Sequence, residues 1–528
     1  MKNSHAIYWL KRDFRLADNP ALTQALSDSE MVTPIYMVEP SFLEAPETSV
    51  FHVHAVTNAL HDLRKKLQKQ KVDVAVIEGE VIPTLDLLFQ KKKFQKIYAH
   101  EEIGVERTYA RDRAVHKWCK KNKVEFIELR QTAVFRRLKD RNKRHLGWKK
   151  FTLGELLPVP NNLEKCQIPK EWKKLFFPKR KKLKLEDLGF ELTKEQKKYV
   201  QPVSETDANK TLHSFLIDRG LDYRGGISSP LSAFVAGSRM SVHFAWGTMT
   251  GRMVYQKTQA RMEELLELKE AGDPDAGKWR MSLRSFMSRL HWRDHFIQRL
   301  ETEPQMEFQA LNPAYENLEY DNRPDFLEAW ENGMTGYPMV DACIRCLRAT
   351  GFVNFRMRAM LTSFACHGLH LSWKLIDHPM AKLYTDYEPG IHISQLQMQA
   401  GVVGINTLRI YSPTKQIIDQ DPETVFIKKW IPELRNFSPK EIIAHEENPL
   451  EGYPAPIIER KEANTEMRRR VYAVRKIEGY RDIAQKVYEK HGSRKGKPKK
   501  KNAKKEVTKN KVVKKKVTKK KAVKKKVG

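Results

Sequence analysis

The chain has 528 residues, 40% of them hydrophobic, with ten tryptophans and a formal net charge of +32. That length exceeds one hydrophobic core and implies two domains with extensions. No run of about 18 apolar residues is present, which excludes a transmembrane helix.

The charge calls for an anionic partner, but its distribution is uneven. Nineteen Lys/Arg against one Glu between His491 and Gly528 supply +18 of it, leaving a moderately basic body. The five cysteines (Cys119, Cys166, Cys343, Cys346, Cys366) are scattered and odd in number, so a reducing, cytoplasmic compartment is expected. The N-terminus carries no secretory apolar core.

Residues 6–130 alternate short apolar runs with helical patterns. Segments 6–10, 32–38, 72–77, 96–99 and 124–129 read as strands, with helices near 19–28, 51–70, 83–92 and 106–121. This rhythm predicts a Rossmann-like parallel sheet covered on both faces. No G-x-G-x-x-G follows the first strand, so an ordinary dinucleotide site is not supported. The strand runs instead into Lys11-Arg-Asp-Phe-Arg-Leu16 and Asp18-Asn-Pro. His100-Glu-Glu follows another strand end, where ligands bind in such sheets.

Residues 136–205 are lysine-rich and broken by Pro158, Pro160, Pro169 and Pro178, which reads as a surface connector. From 206 to 490 the pattern is almost entirely helical. The expected division is therefore an α/β domain over 1–135, a connector, an all-α domain over 206–490, and a tail over 491–528. Repeated Val-Lys-Lys-Lys units give the tail too little apolar content to fold, so it is expected to be disordered.

Within the helical part, Gly237-Ser-Arg-Met-Ser241 offers hydroxyls, backbone N–H groups and a guanidinium, suited to a helix cap or to a pyrophosphate. Further on, Trp330-Glu-Asn-Gly-Met-Thr-Gly-Tyr-Pro338 precedes a long helical pattern over 339–371. Arg356 and Arg358 lie among Phe352, Val353, Phe355 and Met357, where a guanidinium needs a carboxylate or an electron-rich ligand. Asp386 and Glu388 are the downstream candidates. Cys343 and Cys346 read as buried structural thiols, Met357 and Met360 as core filler, and His367 and His370 as satisfied core histidines.

These spaced motifs, from Lys11 through Arg409-Ile-Tyr-Ser-Pro and Trp430-Ile-Pro-Glu-Leu434, resemble the DNA photolyase/cryptochrome family over about residues 5–435. The resemblance implies an FAD-binding helical domain and an α/β domain that can hold a second, antenna chromophore. It assigns Tyr223, Ser238, Arg239, Met240 and Ser241 to the FAD phosphates and ribityl chain. Arg358, Asp386 and Glu388 fall at the isoalloxazine, and His392 stands where photolyases place an asparagine facing flavin N5. Trp292, Asp294, Phe352, Asn354 and Arg356 fall at the lesion pocket, with the hydrogen-bonding set changed.

The family's relay tryptophan next to the flavin aligns with Leu396 and the residue two beyond it with Met398, while Trp373 matches the middle member of the relay. Tyr387 and Trp246 are alternative electron carriers. The function the resemblance implies is light-driven repair of pyrimidine dimers in single- or double-stranded DNA by a monomer. The alternative is a cryptochrome-like blue-light receptor. The tail would tether DNA non-specifically, near the nucleoid in a bacterium. No metal is expected.

Overall fold

The computed structural model describes residues 4–176, 182–405 and 407–492. Its α/β part is a parallel sheet of β1 (His5–Leu10), β2 (Met31–Val38), β3 (Ala75–Glu78), β4 (Lys96–His100) and β5 (Glu125–Leu129), in the order β3-β2-β1-β4-β5. Four helices cover it: α1 (Pro20–Asp28), α2 (Val50–Lys69), α3 (Val81–Lys91) and α4 (Glu106–Asn122).

β1 is buried along its whole length, because a parallel sheet with helices on both faces needs apolar residues on both sides of each strand. Ala6, Tyr8 and Leu10 pack with Leu22, Leu26, Leu60 and Leu63 of α1 and α2. Ile7 and Trp9 pack with Leu85, Leu88, Val115 and Trp118 of α3 and α4. Ile7 lies opposite Thr33 on one side and Ile97 on the other. Strand order reverses between β1 and β4, so a crevice opens at their carboxyl ends.

The connector is not simply a surface segment. The Gln167 N–H donates to the Val32 carbonyl at 2.8 Å, part of an isolated parallel bridge between Cys166 and β2. Trp172 is fully buried, its indole donating to the Leu88 carbonyl at 3.0 Å. Cys166 and Trp148 are buried too, the latter on α5 (Arg144–Thr152). A few large apolar side chains among the lysines therefore anchor the segment to both halves of the molecule.

The helical part includes α6 (Gly251–Glu270) and α7 (Ala276–Thr302). The pattern over 339–371 divides into α8 (Pro338–Thr350) and α9 (Phe355–His367). Gly351 ends α8 with φ +67°, and a Cβ there would lie 1.9 Å from the Thr385 hydroxyl oxygen, so the break is fixed by a close approach as well as by the left-handed turn. Next come α10 (Trp373–Lys382) and α11 (Pro389–Ala400), packed on a core of Trp330, Met339, Ile344, Met357, Leu361 and Phe364. The last described helix is α12 (Tyr480–His491), so the first residue of the expected tail (491–528) ends a helix; the tail from 493 onward lies outside the described residues. Among those residues no helix is long and apolar enough to cross a membrane.

The segment after β1 joins the two halves. Arg15 donates to the Gly247 carbonyl at 2.9 Å, and Asp18 accepts from Thr250 at 2.6 Å and from Arg252. Glu205 accepts from the Ala17 N–H at 3.1 Å and from Lys66 at 2.8 Å. Gly247, at φ +63°, sits so close that an added Cβ would lie 1.9 Å from the Arg12 carbonyl oxygen. Gly247→Ala should therefore cost about 3 kcal/mol of stability through strain and forced separation of the seam, measured by urea unfolding of the full chain.

Candidate functional site

The site centres on Arg358, in the first turn of α9. Its Nη2 lies 3.0 Å from Asp386 Oδ1 and donates to Oδ2 at 3.2 Å, while its Nε donates to the Val353 carbonyl at 2.9 Å. The guanidinium stands 4.1 Å over the Tyr384 ring. The loop carrying Asp386 is held by two bonds: the Thr385 N–H donates to the Gly351 carbonyl at 3.0 Å, and the Trp246 indole donates to the Thr385 carbonyl at 2.8 Å. Of the two expected acidic partners the structure gives Asp386 to Arg358. Glu388 instead faces Arg293, whose Nη2 is 3.5 Å away.

Arg239 completes the centre. It takes a left-handed conformation, φ +60°, and lays its guanidinium 3.5 Å over the Phe352 ring. Burial holds its pKa down to about 10, opposed by the Asp386 charge. The turn before it is clamped by Arg219, which donates to the Val235, Gly237 and Ser238 carbonyls. Ser241 opens a five-residue helix, and Met240 is fully buried. Arg239, Phe352, Arg358 and Asp386 are thus brought together. Tyr223 packs with Phe215 and Phe286 in the neighbouring cluster that also takes Met240.

His392 is buried between the rings of Tyr384 and Tyr387, at 5.9 and 5.4 Å. Its Nε2 lies 2.8 Å from Asp377 Oδ1 and 3.2 Å from the Asp377 carbonyl oxygen. Asp377 was not among the expected residues; it lies on α10, and no local spacing pairs it with His392. Asn354 donates its amide to the Ile227 and Ser228 carbonyls at 3.0 and 2.7 Å. Trp292 is 47% exposed and stacks on Phe296. Both oxygens of Asp294 are engaged, one by the Trp148 indole and one by Arg293, each at 2.8 Å. Trp292 and Asp294 thus belong to a second group on α7, apart from the Arg239–Phe352 stack in their contacts.

Other sequence candidates are packed or hydrogen-bonded inside the fold. Cys343 and Cys346 are fully buried, with thiol pKa values raised by burial. The ring of His367 meets the Gln399 carbonyl at 2.9 Å, and His370 meets Asp321 at 2.7 Å. Trp373 and Leu396 are buried.

Several polar atoms around the centre have no hydrogen-bond partner although they are buried: Arg239 Nη1, Thr385 Oγ1, Glu388 Oε1, Asn354 Oδ1 and Arg356 Nε. Buried polar groups are ordinarily satisfied, so donors and acceptors left open beside an ion pair fit a polar, anionic ligand with an electron-rich ring. A flavin nucleotide meets that description. A cleft of about 610 Å³, counting its open mouth, also reaches Glu388 from the carboxyl ends of β1 and β4, lined there by Lys11, Arg12, Glu101 and Glu102.

Comparison with known proteins agrees with this chemistry. Residues 6–151 match the DNA photolyase model, and residues 286–473 match the FAD binding domain of DNA photolyase. The chain is 25% identical over 470 residues to a deoxyribodipyrimidine photo-lyase of Synechococcus, covering 86% of this chain and 93% of that one. It is 24% identical over 469 residues to a cryptochrome DASH of Solanum lycopersicum, covering 81% and 77%. In fold it resembles the archaeal photolyase of Sulfolobus tokodaii, whose crystal structure holds two FAD molecules, with a TM-score of 0.74, 24% identity, and coverage of 89% and 100%. Fold and site define a flavoprotein of two parts, an α/β sheet domain and a helical FAD-binding domain. The chain belongs to the DNA photolyase/cryptochrome family.

Asp386→Asn leaves Arg358 without its countercharge. The loss should be on the order of 2 kcal/mol, below that of a fully buried pair because the Arg358 side chain keeps 22% exposure. Denaturant unfolding measures it, and bound flavin per protein should fall in parallel. Burial raises the Glu388 pKa, so its carboxyl contributes stability that is complete below the ordinary glutamate value and lost as pH rises through the folded one. Glu388→Gln should accordingly gain on the parent as pH rises, read from thermal melts between about pH 4 and pH 8.

Proposed function

We propose that the protein is a light-driven, FAD-dependent repair enzyme for pyrimidine dimers in DNA, built as an α/β domain (1–135), a connector (136–205) and a helical domain (206–490). The observation that carries the proposal is the Arg358–Asp386 pair closed in by Arg239 and Phe352, with open buried donors and acceptors around it. Arg239, Arg358 and Asp386 would hold reduced FAD, which would supply light-driven electron transfer to the dimer. Arg358 and Arg239 supply positive charge beside the ring and the phosphates. Burial raises the Glu388 pKa and so favours the protonated carboxyl, the form that can donate a hydrogen bond to a ring carbonyl or nitrogen.

Phe352 offers an aromatic face for a flipped base. The amide of Asn354 is held by two backbone carbonyls, so its open Oδ1 is left as an acceptor, suited to a pyrimidine N3–H. Exposed Trp292 offers a further stacking face. The Lys-rich tail would add salt-sensitive, sequence-independent affinity for DNA.

A receptor reading draws on a separate observation. Leu396 stands at the inner relay position, so electrons would reach the centre by another line of rings. Trp246, His52, Tyr387 and His392 form such a line, with successive ring separations of 5.8, 5.7 and 5.4 Å. An altered electron supply, with a histidine rather than an asparagine at position 392, suits a protein that signals as well as one that repairs.

The deciding experiment uses FAD-loaded protein, chemically reduced without oxygen, and an oligonucleotide carrying one cyclobutane dimer. Dimer loss under blue light, absent in the dark, is the expected result. No loss with this substrate and none with a (6-4) photoproduct would replace repair by the receptor reading.

A further inference from the structure

Beside the Arg239–Phe352 stack the chain presents large apolar side chains to solvent. Phe355, the first residue of α9, is 55% exposed and belongs to none of the apolar clusters among the described residues. On the facing segment Val235 and Leu231 are 64% and 41% exposed. The two segments are tied together: the Asn354 amide donates to the Ile227 and Ser228 carbonyls, and the Phe234 ring meets the Phe352 ring at 5.1 Å. Exposed apolar residues scattered singly are ordinary, but three on one tied pair of segments are a surface for a partner.

Phe355 is also held rigidly. Thr350 Oγ1 donates to the Phe352 carbonyl and Arg358 Nε to the Val353 carbonyl, each at 2.9 Å. The Asn354 carbonyl accepts the Met357 and Arg358 N–H groups and so starts the helix, while its side chain is fixed to the facing segment. A ring on so fixed a backbone loses little conformational freedom when it enters a contact.

The surrounding charge selects the partner. Residues 218–239 and 352–358 carry five arginines (Arg219, Arg224, Arg239, Arg356 and Arg358) against two acids, Asp218 and Asp222, and Lys278 already holds Asp222 at 2.6 Å. Apolar side chains set in a positive surround suit a polyanion that also has apolar faces, which describes a nucleic acid strand.

We propose that Phe355 is a wedge for double-stranded DNA, an assignment that rests on the repair reading above. A nucleotide drawn out of a duplex toward Phe352 leaves bases beside the gap without stacking partners, a cost that a single strand escapes. Phe355, three residues on and turned to solvent, enters that gap and covers the base faces, with Val235 and Leu231 on its apolar flank. It is a positioning residue that sets duplex against single strand.

The test measures dark binding of the FAD-loaded full chain to one oligonucleotide carrying a cyclobutane dimer, as a single strand and as a duplex. Phe355→Ala should bind the duplex about tenfold more weakly, as for one lost stacking contact, and the single strand like the parent. Phe355→Leu keeps an apolar wedge and should restore most of the duplex affinity. Because the ring is exposed, both variants should melt with the parent, and their salt slopes should match it, since no phosphate contact is removed. An equal loss on both substrates, or no loss on either, would overturn the wedge and leave the repair reading standing. A parent that binds the dimer duplex no better than an undamaged one would overturn both.

Discussion

The helical half depends on satisfying one guanidinium. Arg358 is carried into a core of Val353, Met357, Met360 and Leu361 by α9, and a cation there is tolerated only with an anion in reach. Asp386 provides it, but only because its loop is fixed from two sides, by the Gly351 carbonyl below and the Trp246 indole above. The break between α8 and α9 is therefore not a gap in a long helix. It is what presents a free carbonyl to Thr385 and so sets where the carboxylate lies. Arg239 is drawn into the same arrangement, its charge facing Asp386 and its plane resting on Phe352. Two arginines share one carboxylate, which leaves net positive charge and open N–H groups for an anionic ligand.

The second constraint is the seam. The Lys11–Asp18 segment works at both ends of its length. Lys11 pairs with Asp112 at 2.5 Å and lies 3.5 Å from Glu102 at the strand ends, while Asp18 holds Thr250 and Arg252 at the start of α6. Gly247, which approaches the Arg12 backbone so closely, itself lines the cleft together with Arg12, Glu102 and Glu388. The carboxyl ends of β1 and β4 thereby face Glu388 of the helical half, and an interdomain ligand and the flavin centre would share one wall.

The sheet was legible because its strands are short apolar runs separated by helical periods, and both signals are local. The Arg358–Asp386 pair was legible for another reason: a cation in an apolar run implies a partner, and few acids lie downstream. What was not legible depends on contacts without local pattern. Trp172 and Cys166 sit among lysines and prolines that read as surface, yet each fills a site on the sheet. The split of 339–371 turns on one glycine whose close neighbour, Thr385, lies far along the chain.

Asp377 shows most plainly what distant contacts add. A histidine at position 392 is, in sequence, only a departure from an asparagine. In the structure its Nε2 faces two oxygens of Asp377, a carboxylate and a backbone carbonyl, neither of which can donate, so the proton of the neutral ring must sit on Nε2. Nδ1 is then the basic nitrogen. An asparagine amide carries both donors and an acceptor at its tip, whereas this imidazole gives its one N–H to Asp377 and leaves one acceptor nitrogen. Tyr384 and Tyr387 pack against the ring and confine that nitrogen. Position 392 is therefore oriented by Asp377, a contact between α10 and α11 that no local pattern in the sequence announces.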